Sequence, residues 1–193
     1  MNKKNTFLAA TVAGAMAVTA VAAPVSAATF TDVSDRYKEA VNYLVKENVT
    51  QGVAKDKFGT EEQITRVDAA VMIAKALKLD TTNAKPAGFT DVPKRAQGAV
   101  NALKEKNIIN GKTEKRFGAD DKITRGEMAI ILQRAYGLKG DKQLTFKDVG
   151  NRYTEAVKAM VAHNITNGMS KEKFGTKDRK STRLNSSHHQ VSR

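Results

Sequence analysis

The chain has 193 residues, with 33 Lys and Arg against 20 Asp and Glu, a formal net charge of +13 at pH 7. It contains no cysteine, which excludes disulfides, zinc–thiolate sites and cysteine nucleophiles. So basic a chain first suggests nucleic acid as a partner. However, six of the positive charges lie in two terminal segments, and residues 28–178 hold 27 basic and 20 acidic residues. Because that net charge of +7 is mixed with acids throughout, the sequence does not support nucleic-acid binding.

The N-terminal segment has the organisation of a secretory signal. Lys3 and Lys4 form a positive region, residues 7–21 form a weakly apolar run, and residues 25–27 are small, as at a cleavage site. The run is short and rich in Ala, Thr and Gly, and Pro24 follows it, which disfavours a membrane span. The sequence predicts a signal peptide over 1–27, secretion, and no transmembrane segment after its removal.

The rest of the chain is built from three related units. Phe-Thr-Asp-Val at 30–33 recurs at 89–92 and, as Phe-Lys-Asp-Val, at 146–149. An Ala-Val pair, an Asn, a Gly and a Phe-Gly pair follow in the same order each time, and Ile-Thr-Arg completes the pattern at 64–66 and 123–125. This recurrence predicts repeats over 29–87, 88–144 and 145–178.

Each unit is predicted to form a helix, a loop and a second helix. The first helix of unit one places Tyr37, Ala40, Val41, Leu44 and Val45 on one face, and an Asn with a following Gly ends it. The second helix begins at Thr65 or Thr124, each in a capping-box sequence, and the loop allows a short turn or hairpin. Because a two-helix unit cannot bury its apolar face alone, we expect an all-α, pseudo-threefold bundle.

The third unit departs from this pattern. After Phe174-Gly175 there is no Ile-Thr-Arg, and residues 179–193 are polar and contain no acid. This composition predicts a disordered tail over 179–193 and suggests a non-native end. If the tail is native, one helix of the expected six is missing, a groove depending on Arg183 is in doubt, and the apolar face of Tyr153, Val157 and Met160 is exposed.

The ordered run of Phe-x-Asp-Val, amphipathic helix, Gly loop, Phe-Gly and Ile-Thr-Arg-x-(Asp/Glu) resembles the S-layer homology (SLH) domain. Three such copies behind a signal peptide are the usual arrangement in that family. The resemblance implies non-covalent attachment to the Gram-positive cell wall, through grooves between repeats that bind a secondary cell-wall polysaccharide linked to peptidoglycan, often with a pyruvate ketal. Other S-layer subunits are further candidate partners. The groove residues that it implies are Arg66 and Arg125, Asp32, Asp91 and Asp148, and Gly52, Gly111 and Gly168.

Arg66 and Arg125 have a chemical rationale of their own. Each falls in the first turn of a helix, where the helix dipole disfavours a cation. An Arg beside unpaired helix N–H groups forms a compact anion site suited to a carboxylate. The alternative is a structural pair with Asp32 or Asp91 across a unit boundary.

The other candidates each have a structural alternative. The three aspartates are either helix N-caps or turn residues, or they accept hydrogen bonds from sugar hydroxyls or orient the Arg. The three glycines are expected to supply positive φ, with close approach of a sugar second. Tyr37 and Tyr153 face either a sugar ring or the core, and Ala96 at the equivalent position would leave the second groove poorer in aromatic contact.

The sequence contains no catalytic, metal-binding or cofactor-binding motif. The leading prediction is therefore a secreted, non-enzymatic wall-anchoring module that binds an anionic glycan and needs no cofactor. The alternative is the anchor of a surface enzyme, such as a glycan hydrolase, whose catalytic domain lies elsewhere. A third hypothesis is binding of nucleic acid or teichoic acid by charge alone.

Overall fold

The structure, a computed structural model, describes residues 30–179. The predicted signal peptide and all but the first residue of the predicted tail lie outside the described residues. Five helices follow in order: α1 Asp35–Lys46, α2 Arg66–Ala76, α3 Lys94–Glu105, α4 Arg125–Ala135 and α5 Asn151–Ala162. The all-α prediction is confirmed, since this part of the chain has only isolated β-bridges, one of them the Ala54–Lys57 turn between α1 and α2. Within 30–179, no helix is long and apolar enough to cross a membrane.

An asparagine ends the first helix of every repeat, as predicted. Asn48, Asn107 and Asn164 have φ of 55°, 57° and 56°, the left-handed conformation that asparagine tolerates better than most residues. In α1 the Asn48 N–H bonds the Val45 carbonyl at 3.0 Å, and the next N–H bonds the Leu44 carbonyl at 2.9 Å. This Schellman arrangement satisfies the last carbonyls of the helix and turns the chain into the loop.

Threonine is the N-cap residue of the second helix in the first two repeats. The Thr124 hydroxyl accepts from the Glu127 N–H, and the Glu127 carboxylate accepts from the Thr124 N–H, so the predicted capping box is complete at α4. At α2 the Thr65 hydroxyl accepts from the Asp68 N–H but donates to the Asp68 carboxylate at 2.6 Å. The shorter Asp side chain therefore gives only half of the capping box at α2.

The helices pair across repeat boundaries. The second helix of one repeat packs against the first helix of the next, so α2 lies on α3 and α4 lies on α5. The α2–α3 pair encloses the largest apolar cluster, with Val67, Val100 and Leu103 at its centre. A second cluster forms between α4 and α5, and a smaller one surrounds α1. Each repeat is therefore completed by its neighbour, which is why the two-helix unit needs tandem copies.

The expectation about the third repeat is wrong in its location. Val157 is 0% exposed and Met160 5%, because α4 of the second repeat covers this face of α5. The uncovered face belongs instead to α1, which makes no comparable helix contact among the described residues. There Ala40 is exposed, although its counterparts Ala99 and Ala156 are buried.

Candidate functional site

Each repeat carries an aspartate that holds its Phe-Gly loop. The Asp91 carboxylate accepts hydrogen bonds from the N–H groups of Phe117 (2.7 Å), Gly118 (2.7 Å) and Ala119 (3.1 Å). Asp32 and Asp148 make the same three bonds in their own repeats. Burial raises the pKa of these carboxyls, but the N–H donors together outweigh it and lower the pKa, for Asp32 to about 2.

This geometry resolves one alternative from the sequence. The aspartates are not helix N-caps, because Ser34, Pro93 and Gly150 occupy those positions. They act as turn residues over a long range, holding a loop about 26 residues further along the chain. Each of these carboxylates thus already accepts three backbone hydrogen bonds.

The loop glycines lie against the Phe that begins each repeat. A Cβ on Gly168 would come within 2.4 Å of the Phe146 ring, and on Gly52 within 2.9 Å of the Phe30 ring. These two glycines have positive φ, as predicted. Gly111 does not, and that expectation is wrong: its Cβ would lie 2.4 Å from both the Phe89 ring and the Thr113 carbonyl. Close packing is therefore the requirement that all three positions share.

The first-turn N–H groups of α2 and α4 are not available to a ligand. The Arg125 N–H bonds the Asp178 carbonyl at 2.8 Å, and the Gly126 N–H bonds the Thr176 carbonyl at 3.0 Å. At α2 the corresponding bonds go to the Asp121 and Ala119 carbonyls. The sequence hypothesis of an Arg beside unpaired helix N–H groups is wrong in this respect. The loop of the following repeat occupies them, so any anion site depends on side chains.

The Arg66 side chain crosses the boundary between the first and second repeats. An aromatic ring, two backbone carbonyls and a carboxylate contact it there. The side chain is 6% exposed and lies over the Phe117 ring at 4.9 Å. Nε donates to the Phe117 carbonyl and Nη2 to the Asn110 carbonyl. Nη1 lies 3.4 Å from the Glu127 carboxylate. Burial lowers the pKa of Arg66, and the attraction of Glu127 partly offsets this. The alternative of a pair across the boundary is thus realised, with Glu127 in place of the predicted Asp91 or Asp32.

Arg125 crosses the next boundary in the same way but keeps fewer partners. It lies over the Phe174 ring at 4.9 Å, and its Nη2 donates to the Thr166 hydroxyl at 2.7 Å. Nε is buried without a hydrogen-bond partner among the described residues. Burial lowers the pKa of this guanidinium, and longer-range attraction from Asp178 and Asp148 opposes the shift. Arg125 therefore has hydrogen-bonding capacity that the described protein atoms do not use.

A cavity of about 770 Å³ opens beside Arg125. The loop of the third repeat, including Thr166 and Gly168, forms one wall. Met128 and Leu132 of α4 and Met160 of α5 form an apolar wall. Of the predicted site residues, Arg125 and Gly168 line this cavity.

The tyrosines occupy the half-buried core position. Tyr153 packs in the α4–α5 cluster and Tyr37 in the α1 cluster. At the second repeat Ala96 is 0% exposed in the α2–α3 cluster. The difference between Ala96 and Tyr153 is therefore a difference in helix packing, and neither residue lines the cavity.

Sequence reasoning missed two features of this region. Arg36, Arg95 and Arg152 occupy one equivalent position in the first helices, and Arg36 reaches the cavity from the first repeat. Their recurrence at the repeat spacing of 59 and 57 residues was a signal that could have revealed them. The second feature is Thr166, whose position is Ile109 in the preceding repeat. A polar residue at a position that is apolar in another copy marks a place where packing does not determine the residue type.

Known proteins contain the same repeat. The family model of the S-layer homology domain matches residues 29–70, 88–129 and 145–179. The chain is 34% identical over 149 residues to the surface-layer 125 kDa protein of Lysinibacillus sphaericus, which covers 75% of this chain and 12% of that protein.

Two further relatives differ in their named roles. S-layer protein EA1 of Bacillus anthracis is 31% identical over 178 residues, covering 86% of this chain and 20% of that protein. An endoglucanase of Bacillus sp. strain KSM-635 is 31% identical over 93 residues, covering 48% of this chain and 10% of the enzyme. The chain thus spans a fifth or less of the length of these three relatives.

Proposed function

The chain belongs to the S-layer homology domain family, and from this premise we propose that it anchors a secreted protein non-covalently to the cell wall by binding a secondary cell-wall polysaccharide. Family membership places the chain at the cell wall or S-layer. The finer part of the proposal is that the glycan is anionic, with a pyruvate ketal as the recognised group. It binds in a groove between neighbouring repeats, which span 29–87, 88–144 and the partial copy 145–178.

The unused donors at the Arg125 cavity carry this proposal. A hydroxyl has two acceptor lone pairs and one donor. The Thr166 hydroxyl accepts from Arg125 Nη2 at 2.7 Å and from the Gly168 N–H at 3.2 Å. Its own O–H therefore remains to be donated, beside a guanidinium whose Nη1 makes no hydrogen bond or ion pair within residues 30–179. An oxygen-rich anion in the cavity would accept from both groups.

The cavity also suits a sugar ring. The methionines and Leu132 present an apolar wall opposite the polar loop. A sugar has both an apolar face of C–H groups and a rim of hydroxyls, and methionine adapts to irregular surfaces. We propose that Arg125 and Gly168 contact the glycan, while the three aspartates, Gly52, Gly111, Tyr37 and Tyr153 maintain the loops and helix contacts that shape the grooves. Binding requires no catalytic group, and none is assigned.

Purified cell walls, intact or stripped of the secondary polysaccharide, test the proposal. We expect the secreted chain to sediment with intact walls and to remain in solution with stripped walls. Arg125→Gln should lower the affinity for intact walls, measured by co-sedimentation, at least about tenfold, because a charged hydrogen-bond partner is lost. Arg134→Gln removes the same charge from the exposed end of α4 and serves as the control.

Two results would contradict the proposal. One is binding that persists on stripped walls. The other is binding that falls steadily with salt and is equal for the Arg125 and Arg134 variants, which would indicate bulk charge.

The similarity to an endoglucanase favours a second candidate for the whole protein, an enzyme tethered by the same anchor. The wall-binding step is identical in both cases, so the difference lies in the sequence joined to this module. Sequencing the complete gene distinguishes them, because a glycoside hydrolase domain in the same reading frame would establish the second candidate.

A further inference from the structure

The two arginines that cross repeat boundaries differ in their ion pairing. Arg66 has a carboxylate at 3.4 Å from Nη1, and its other two guanidinium nitrogens donate to carbonyls. Arg125 has the same stacking distance to its phenylalanine but no ion pair within residues 30–179. Ile109 replaces the Thr166 hydroxyl at the first boundary and is 1% exposed. The two grooves thus share a scaffold and differ in the groups left for a ligand.

Glu127 is the residue that creates this difference. One of its carboxylate oxygens accepts from the Thr124 N–H at 3.0 Å, and the other lies beside Arg66. Within residues 30–179, no carboxylate makes the corresponding ion pair with Arg125. The lining of the Arg125 cavity includes Arg36, Lys171 and Arg179 against the single acid Asp178. The cavity is therefore electropositive at the boundary that lacks the internal carboxylate.

We propose that Glu127 acts as an internal anion that occupies Arg66, so that the chain has one anion-binding groove, at Arg125, and that removing the Glu127 charge creates a second. This inference rests on the proposed function, because it specifies which groove takes the anionic group of the glycan. Glu127 is thus a specificity-determining residue in addition to its role in the α4 capping box.

Competition explains why a tethered carboxylate excludes a dissolved one. A group attached to the protein acts at an effective concentration of about millimolar or more. Glu127 is held in addition by its bond to the Thr124 N–H, so it loses little further conformational freedom in contacting Arg66. A ligand carboxylate must displace it and leave it unpaired near the 6%-exposed Arg66 side chain. At Arg125 no side chain of residues 30–179 has to be displaced from Nη1.

Glu127→Gln removes the negative charge and keeps the capping hydrogen bond. A Gln at this position of a capping box still accepts from the N-cap N–H, so α4 keeps its start. Glu114→Gln is the matched control, because it removes one negative charge from an exposed loop position of the same repeat. The probe is a methyl hexoside with a pyruvate ketal, and its methyl ester serves as the neutral reference. Isothermal titration calorimetry gives the stoichiometry, and circular dichroism confirms that each variant is folded.

We expect one site in the wild-type chain and in Glu114→Gln, and two in Glu127→Gln. Arg125→Gln should bind no probe, whereas Arg125→Gln combined with Glu127→Gln should regain one site. Two sites in the wild type, one site in a folded Glu127→Gln variant, or retained binding by Arg125→Gln would each overturn the inference. The last result stands independently of how Glu127→Gln folds.

These outcomes separate the inference from the proposed function. A wild-type chain that binds walls and one equivalent of probe, with a Glu127→Gln variant that gains nothing, refutes only the role of Glu127. A wild-type chain that binds neither walls nor probe refutes the proposed function, and the inference with it.

Discussion

Asp91→Asn should destabilise the domain more than any surface change of equal charge. Its carboxylate accepts three N–H bonds from the Phe117 loop, two of them at 2.7 Å. Hydrogen bonds to a charged group contribute about 1.5–3 kcal/mol each, and they do not add fully. An asparagine oxygen still accepts some of them, but its NH₂ group faces N–H donors. We therefore expect a loss of about 3 kcal/mol in the free energy of unfolding.

Urea unfolding followed by circular dichroism measures this effect, with Asp120→Asn as the control. Asp120 is exposed in the same repeat and makes no side-chain bond among the described residues. For a domain of this size, about 3 kcal/mol corresponds to a fall of roughly 6–12 °C in Tm. If Asp91→Asn unfolds within about 0.5 kcal/mol of Asp120→Asn, the carboxylate does not hold the loop and the reasoning is refuted.

Three further predictions concern stability. Because the folded-state pKa of Asp32 is lowered to about 2, its stabilisation is present above its ordinary pKa and lost as the pH falls towards 2; urea titrations across this range should show a shallower pH dependence for Asp32→Asn. Gly126→Ala should cost about 1–3 kcal/mol in urea unfolding, since its Cβ would lie 2.7 Å from the Thr176 methyl and 3.0 Å from the Tyr153 ring; unchanged stability would contradict this packing. Asn107→Ala should cost about 1 kcal/mol and Asn107→Gly much less, because only alanine is strained at φ of 57°; equal Tm values would argue against a conformational role.

The local elements followed from the sequence because their causes are local. The capping threonines, the helix-ending asparagines and the apolar spacing act within a few residues, and the structure confirms them. The family followed as well, because its motifs keep their order in three copies. The predicted roles in glycan binding remain predictions, since they depend on a ligand.

The aspartates show where local reasoning ended. An Asp shortly before a helix suggests an N-cap, and nothing nearby in sequence indicates that its acceptors serve a loop about 26 residues away. Likewise, the N–H groups at a helix start look unpaired until the next repeat supplies carbonyls to them. The first contact joins distant parts of one repeat and the second joins neighbouring repeats, so neither is visible in the residues around the helix start.

Packing also decided which helix face is covered. The sequence of the third repeat suggested that, if the tail is native, α5 lacks a partner, because no Ile-Thr-Arg follows Phe174-Gly175. In the structure α4 of the preceding repeat covers α5, and within residues 30–179 α1 is the helix without a comparable neighbour. Residue sizes at the two boundaries also compensate one another. The small Gly126 packs against the large Tyr153, whereas at the equivalent positions the larger Val67 lies in one cluster with the small Ala96.

The sequence by itself determined the all-α class, the three repeats, the helix starts and ends, and the family. Only the tertiary structure decided the environments of Arg66 and Arg125, which occupy the same position in their repeats. Arg66 forms an ion pair with Glu127, whereas Arg125 donates to Thr166 and lines a cavity. The physical reason is that the ion pairing and hydrogen bonding of a buried guanidinium depend on groups from the next repeat, which the spacing of residues along the chain does not reveal.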